Sequence, residues 1–126
     1  MSSNVAYKKY KETSITSASK EKLLLMMYEG AIKFTKRAIL SLEQKNIPQK
    51  CENIGRVYDI ILELNNTLDH KIGGELASQL EQLYMYMTEQ LVKANMNNDV
   101  QALQSVLKLL ETLNDGWTQA VEKIKK

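Results

Sequence analysis

Between Ser19 and Leu42 the chain carries two apolar stripes at helical spacing. One runs Leu24, Met27, Ala31, Phe34, Ala38 and Leu42 in 3-4 alternation. The other, Leu25, Tyr28, Ile32 and Ile39, lies a quarter-turn or more around. A surface helix needs one such stripe, so this one either sits deep in a bundle or offers a face to a partner. Three more segments repeat the pattern. Ile54, Val57, Tyr58, Ile61, Leu64 and Leu68 mark a second helix, and Leu76, Leu80, Leu83, Met87, Leu91 and Ala94 a third. Leu103, Val106 or Leu107, Leu110, Leu113, Trp117, Ala120 or Val121, and Ile124 mark a fourth.

Local signals divide these helices. Ser17 or Ser19 caps the first, with Glu21 favourably placed in its first turn. It ends before Asn46-Ile47-Pro48, and Pro48 opens the second, where a missing N–H costs nothing. Gly73-Gly74 reads as the second helix's stop, so the third is expected from about Glu75 to Met96. Asn95 to Asp99 then combines a turn with a cap. Such short connections force neighbours to run antiparallel. The expected fold is therefore all-α: an antiparallel up-down-up-down four-helix bundle over residues 19–126, with helices roughly 33–42 Å long at about 1.5 Å per residue. A short N-terminal helical arm, residues 1–18, precedes it; there Val5, Ala6, Tyr7 and Tyr10 lead into a Ser- and Thr-rich tract.

Composition supports helices and narrows the function. One proline and five glycines in 126 residues argue against a sheet protein. The longest apolar run, Leu23 to Tyr28, is far too short to span a bilayer, and no signal-type segment opens the chain. A cytoplasmic protein without membrane insertion is expected. A net charge of +2 gives no electrostatic footprint for nucleic acid. Lone Cys51 excludes an internal disulfide and reads as a tolerated thiol.

Candidate chemistry is sparse. His70 has no second His or Cys at ligand spacing, and Asp59 with Glu63 has no Glu-x-x-His partner, so neither builds a metal centre. Gly73-Gly74 lacks the Lys-Ser/Thr of a phosphate loop. Lys8-Lys9-Tyr10-Lys11 is too small a basic stretch to read nucleic acid. The expectation is a binding protein, not an enzyme, that uses no cofactor or metal. Met and Tyr spread around the third helix at Tyr84, Met85, Tyr86 and Met87 suit an adaptable, peptide-receiving surface.

Several stretches carry a family resemblance: Ala6-Tyr7-Lys8-Lys9-Tyr10, Thr16-Ser17-Ala18-Ser19 leading to Leu23-Leu24, and Met27-Tyr28-Glu29-Gly30-Ala31-Ile32. Gly73-Gly74-Glu75, Leu83-Tyr84-Met85-Tyr86-Met87, Leu91 to Asn95, Asn98-Asp99 and Trp117 continue it in order. Together they resemble the flagellin export chaperones of bacterial flagellar assembly, the FliS family. Two departures stand out: Lys20 where the family commonly has proline, and Met85 where an acidic residue is usual.

The resemblance implies a four-helix bundle that wraps the disordered C-terminal segment of flagellin, holds the subunit monomeric in the cytoplasm, and passes it to the export gate of the flagellar type III apparatus. Leu24, Met27, Tyr28 and Ile32 on the first helix, with Tyr84, Met87 and Leu91 on the third, are the expected groove lining. Tyr7 and Tyr10 are expected to close the empty groove as a lid. The rival is a bundle that self-assembles through the same faces as a homodimer and needs no flagellin client.

Overall fold

The computed structural model describes residues 19–125, which form four helices: α1 (Lys20–Glu43), α2 (Ile47–Asn66), α3 (His70–Asn97) and α4 (Val100–Lys125). The N-terminal arm, with Tyr7 and Tyr10, lies outside the described residues. Each helix packs on its neighbours in sequence, and α1 closes the ring against α4. That is the expected up-down-up-down bundle.

Polar side chains at the junctions decide where the helices begin and end. Ser19 Oγ accepts from the Lys22 N–H at 3.2 Å and caps α1. Lys45 then turns left-handed (φ 58°), and Asn46 caps α2 by accepting from the Gln49 N–H at 3.2 Å, with Pro48 in the first turn. The end of α2 departs from expectation, since the helix stops at Asn66 rather than at the glycine pair. Thr67 Oγ1 donates back to the Leu64 carbonyl at 2.7 Å, and Asp69 Oδ1 accepts from the N–H groups of Lys71 and Ile72. These short side chains capture the backbone groups that would have continued the helix. Leu68 therefore sits in the turn, and His70 opens α3. Gly74 instead kinks α3 near its start (φ 51°, ψ −123°), a conformation that side chains with a Cβ resist. Asn98 ends α3 left-handed, and Asp99 Oδ1 accepts from the Ala102 N–H to start α4.

A buried lysine fastens the α3–α4 turn. Lys50 is only 2% exposed, and its Nζ donates to the Asn95 carbonyl and to Asn98 Oδ1, both at 2.8 Å. A cation there meets the carbonyls that a helix C-terminus leaves unpaired.

The core runs through Tyr28, Ala31 and Ala38 of α1, Val57, Ile61 and Leu64 of α2, Leu80, Tyr84, Met87 and Leu91 of α3, and Leu103, Val106 and Leu110 of α4. Thr35 and Ser41 complete the α1 line, their hydroxyls donating to the carbonyls of Ala31 and Arg37 within the same helix. On α3 the buried line is rotated from the expected one. Ala77 and Tyr84 take the inner positions, Leu76 is 54% exposed and Leu83 is half-buried.

Candidate partner-binding groove

Once the core lines are assigned, apolar side chains remain along one face of the α2–α3 pair. On α2, Cys51, Gly55, Tyr58 and Leu62 recur at i, i+4, i+7 and i+11, a single helical stripe beside the core. On α3, Met85, Val92 and Met96 are exposed, Met96 to 77%. Between them a cavity of about 200 Å³ is lined by Cys51, Ile54, Gly55, Tyr58, Val92 and Asn95, with Leu91 at its base and Asp59 at its rim. Gly55 leaves a notch, since a Cβ built there would meet no atom within 4 Å. The arrangement is a shallow trough of mixed polar and apolar lining, flanked by exposed apolar side chains on two antiparallel helices. It can receive a helix or an extended segment that brings apolar anchors at matching intervals.

The expected groove residues separate into three groups. Tyr28, Tyr84 and Met87 are fully buried and belong to the core, so in this arrangement they present no surface to a partner. Their 3-4 spacing marks an inward face as readily as a docking face. Leu91 is buried too, yet it forms the trough's base. Leu24 and Met27 line a separate cavity of about 470 Å³ at the α1 N-terminus, with Leu23 and Thr67. Ile32 faces a cleft of mixed lining toward α4, beside Lys36, Glu111 and Asn114. Cys51, Gly55 and Leu62 beside this trough were not among the expected groove residues. Their signal was the second stripe on α2, which is visible once the first has been assigned inward.

The two core tyrosines meet hydroxyl to hydroxyl at 2.6 Å, α1 to α3 across the bundle. Burial pushes the Tyr28 phenol up from its ordinary value, which its bond to Tyr84 partly offsets. Burial likewise pushes Tyr84 well up, and the neighbouring Tyr28 adds to the effect. Both stay neutral, so the pair acts as a register pin rather than an acid or base. Trp117 Nε1 is buried beside this pair and near enough to the Tyr28 hydroxyl to favour its ionised form slightly, although it completes no well-aligned hydrogen bond among the described residues.

No trio of His, Cys, Asp or Glu among the described residues is placed to hold a metal. His70 instead meets Glu81 at 3.3 Å on an exposed surface. No described helix is long and apolar enough to cross a membrane.

Comparison with known proteins gives a consistent picture. Residues 2–124 match the family model described as flagellar protein FliS. A flagellar secretion chaperone FliS from Vibrio cholerae is 36% identical over 115 residues, covering 90% of this chain and 85% of that protein. Those of Bacillus subtilis and Salmonella typhimurium are 35% and 38% identical, over 95% and 89% of this chain and 89% and 84% of their own lengths. A solved structure titled as a flagellar chaperone from bacteria superposes with a TM-score of 0.78 at 21% identity, covering 96% of this chain and 98% of the other, and so shares the fold.

Proposed function

This chain belongs to the FliS family of flagellar secretion chaperones, and we propose that its α2–α3 groove receives the disordered C-terminal segment of flagellin as an amphipathic helix. The observation that carries this reading is the row of Tyr58, Leu62, Met85, Val92 and Met96, left wholly or partly uncovered along two adjacent helices. Contiguous apolar surface of this kind marks interaction sites in soluble proteins. The two unbranched methionines in that row, Met85 and Met96 of α3, adapt to varied anchors at low conformational cost.

The mechanism follows from the client's disorder. A segment without structure loses ordering entropy when it docks, so it needs a long apolar trough to reach useful affinity. Covering that segment keeps flagellin from polymerising in the cytoplasm, and the complex then delivers it to the export gate. Release is eased because part of the gross binding energy has gone into ordering the client. Residues 1–18 act as the lid, with Tyr7 and Tyr10 occupying apolar surface until the client displaces them. A lid lowers apparent affinity in proportion to the time it is closed. The cycle needs no cofactor.

The test is calorimetric titration with a peptide copying the C-terminal segment of flagellin from the same organism. Saturable one-to-one binding with a negative heat-capacity change is the expected result. Gly55→Phe places a ring on a position whose Cβ would enter open space, and should weaken that binding tenfold or more while the thermal midpoint holds. Absence of binding by the parent chain, with concentration-dependent self-association instead, overturns the reading in favour of the self-assembling bundle.

A further inference from the structure

A second surface, on the α1–α2 face, has different chemistry. Three cations surround the ring of Phe34: Arg56 Cζ at 5.2 Å from the centroid, Lys33 Nζ at 5.5 Å and Arg37 Cζ at 5.6 Å. They come from two helices, so helical periodicity alone does not account for the cluster. Glu52 pairs with Arg56 at 2.9 Å, and among the described residues neither Lys33 nor Arg37 has an ion-pair partner. Ring faces attract cations, which offsets some of the repulsion between these like charges, but the cluster keeps a surplus of positive charge. Beside the ring opens a cavity of about 410 Å³, with half-exposed Leu40 and the amides of Gln44, Gln49 and Asn53 in its lining.

We propose that this α1–α2 pocket docks an acidic segment of a partner protein, one in which carboxylates flank an apolar side chain. Both guanidinium groups stand within 5.6 Å of one ring centroid, so a single short segment can meet both. A guanidinium fork matches a carboxylate in a planar, two-bonded geometry that an ammonium cannot reproduce. Phe34 and Leu40 provide the apolar floor for the residue between. The exposed amides of Gln44 and Gln49 pair with backbone groups of the incoming chain, while Asn53 is spent on the Gln49 carbonyl within α2. Glu52 already makes the kind of contact the partner would make, and the partner's carboxylate replaces it on Arg56. Nucleic acid fits poorly: its phosphates call for an extended basic stripe with stacking rings, whereas this cluster is compact and the chain's net charge is only +2. The proposal does not rest on the flagellin reading, because the α2–α3 groove shares none of these residues except the helix that carries Arg56.

Isotope-labelled full-length protein, titrated at low salt with a synthetic peptide alternating Glu with Leu, tests the assignment. Expected are saturable amide shifts at Phe34, Arg37 and Gln49, weakening as salt is raised. Arg37→Glu and Arg56→Glu should each weaken binding at least tenfold, and Arg37→Lys should retain part of it. The same peptide with Gln for Glu should not bind. Shifts along Tyr58 and Val92, equal binding of the Gln peptide, tighter binding of a single-stranded oligonucleotide, or no saturation at millimolar peptide each overturn the proposal.

Discussion

α1 and α3 both carry more apolar surface than one neighbour can cover, and they resolve the excess in opposite ways. Along α1 the centre of the buried face is small: Ala31, Thr35, Ala38 and Ser41 follow Tyr28. Small central residues let α2 and α4 close in on both flanks, because the interaxial distance is set by the side chains at the contact. The flanking stripe residues Met27, Phe34, Ile32 and Ile39 then pack against the core, and only Met26 and Leu40 stay exposed. Along α3 the central positions are large: Leu80, Tyr84, Met87 and Leu91. They fill the interior and hold the neighbours off, so Ile72, Leu76, Met85, Tyr86, Val92 and Met96 remain in the open. Surplus hydrophobicity in a helix therefore stays in the open along its length where bulky central residues keep the flanks apart, and shrinks to isolated spots such as Leu40 where they are small.

That contrast can be broken most decisively at Tyr28. Truncation to Ala on the sealed helix removes a fully buried ring and should cost roughly 3–5 kcal/mol in a urea titration. A loss under about 1 kcal/mol would mean that α1 is not sealed. Lys50→Met comes next. It keeps the aliphatic stem but leaves the Asn95 carbonyl and Asn98 Oδ1 without their donor, for an expected cost of about 1–3 kcal/mol. If chemical denaturation shows no change, Lys50 does not fasten the end of α3.

The tyrosine pair sharpens the contrast through pH. Burial raises both phenols above the ordinary tyrosine value of 10.0 in the folded chain. Above that value the unfolded chain loses phenolic protons that the folded chain retains, so stability falls as pH rises. The contribution is fully present below pH 10, and thermal midpoints recorded upward from there should drop more steeply in the parent than in the Tyr28→Phe, Tyr84→Phe double variant. Equal slopes would place the pair in contact with solvent. The smallest stability effect belongs to the open helix. Val92→Ser should shift folding by no more than about 0.5 kcal/mol while reducing affinity for the flagellin peptide. Lost stability with intact binding would move Val92 from groove to core.

How far the sequence could be read depended on how local each signal was. Ser19, Asn46 and Pro48 act within a turn of themselves, so three of the helix boundaries were legible from adjacent residues. The end of α2 was not, because Gly73-Gly74 is the stronger stop signal on paper while Thr67 and Asp69 hold the backbone groups that matter. Groove residues were harder still. Leu83 and Tyr84 satisfy the same spacing to within one position, and Tyr84 wins the interior through a hydroxyl partner 56 residues away. Periodicity identifies candidates for burial, but the neighbours' shapes decide among them. The basic cluster at Phe34 needed two helices side by side before it existed at all.

The bundle has two unlike poles. An even number of antiparallel helices returns the chain to the end where it entered, so Ser19, the 67–69 turn, the Gly74 kink and the α4 C-terminus share one pole, while the 44–46 and 98–99 turns share the other. Lys50 rivets the second. One pole is thus cross-linked by a buried cation, while the other holds the start of α1 and the end of α4 without such a tie among the described residues. A label at the 98–99 turn would therefore sit beside the Lys50 tie, whereas one in the 67–69 turn would sit a bundle's length away from it.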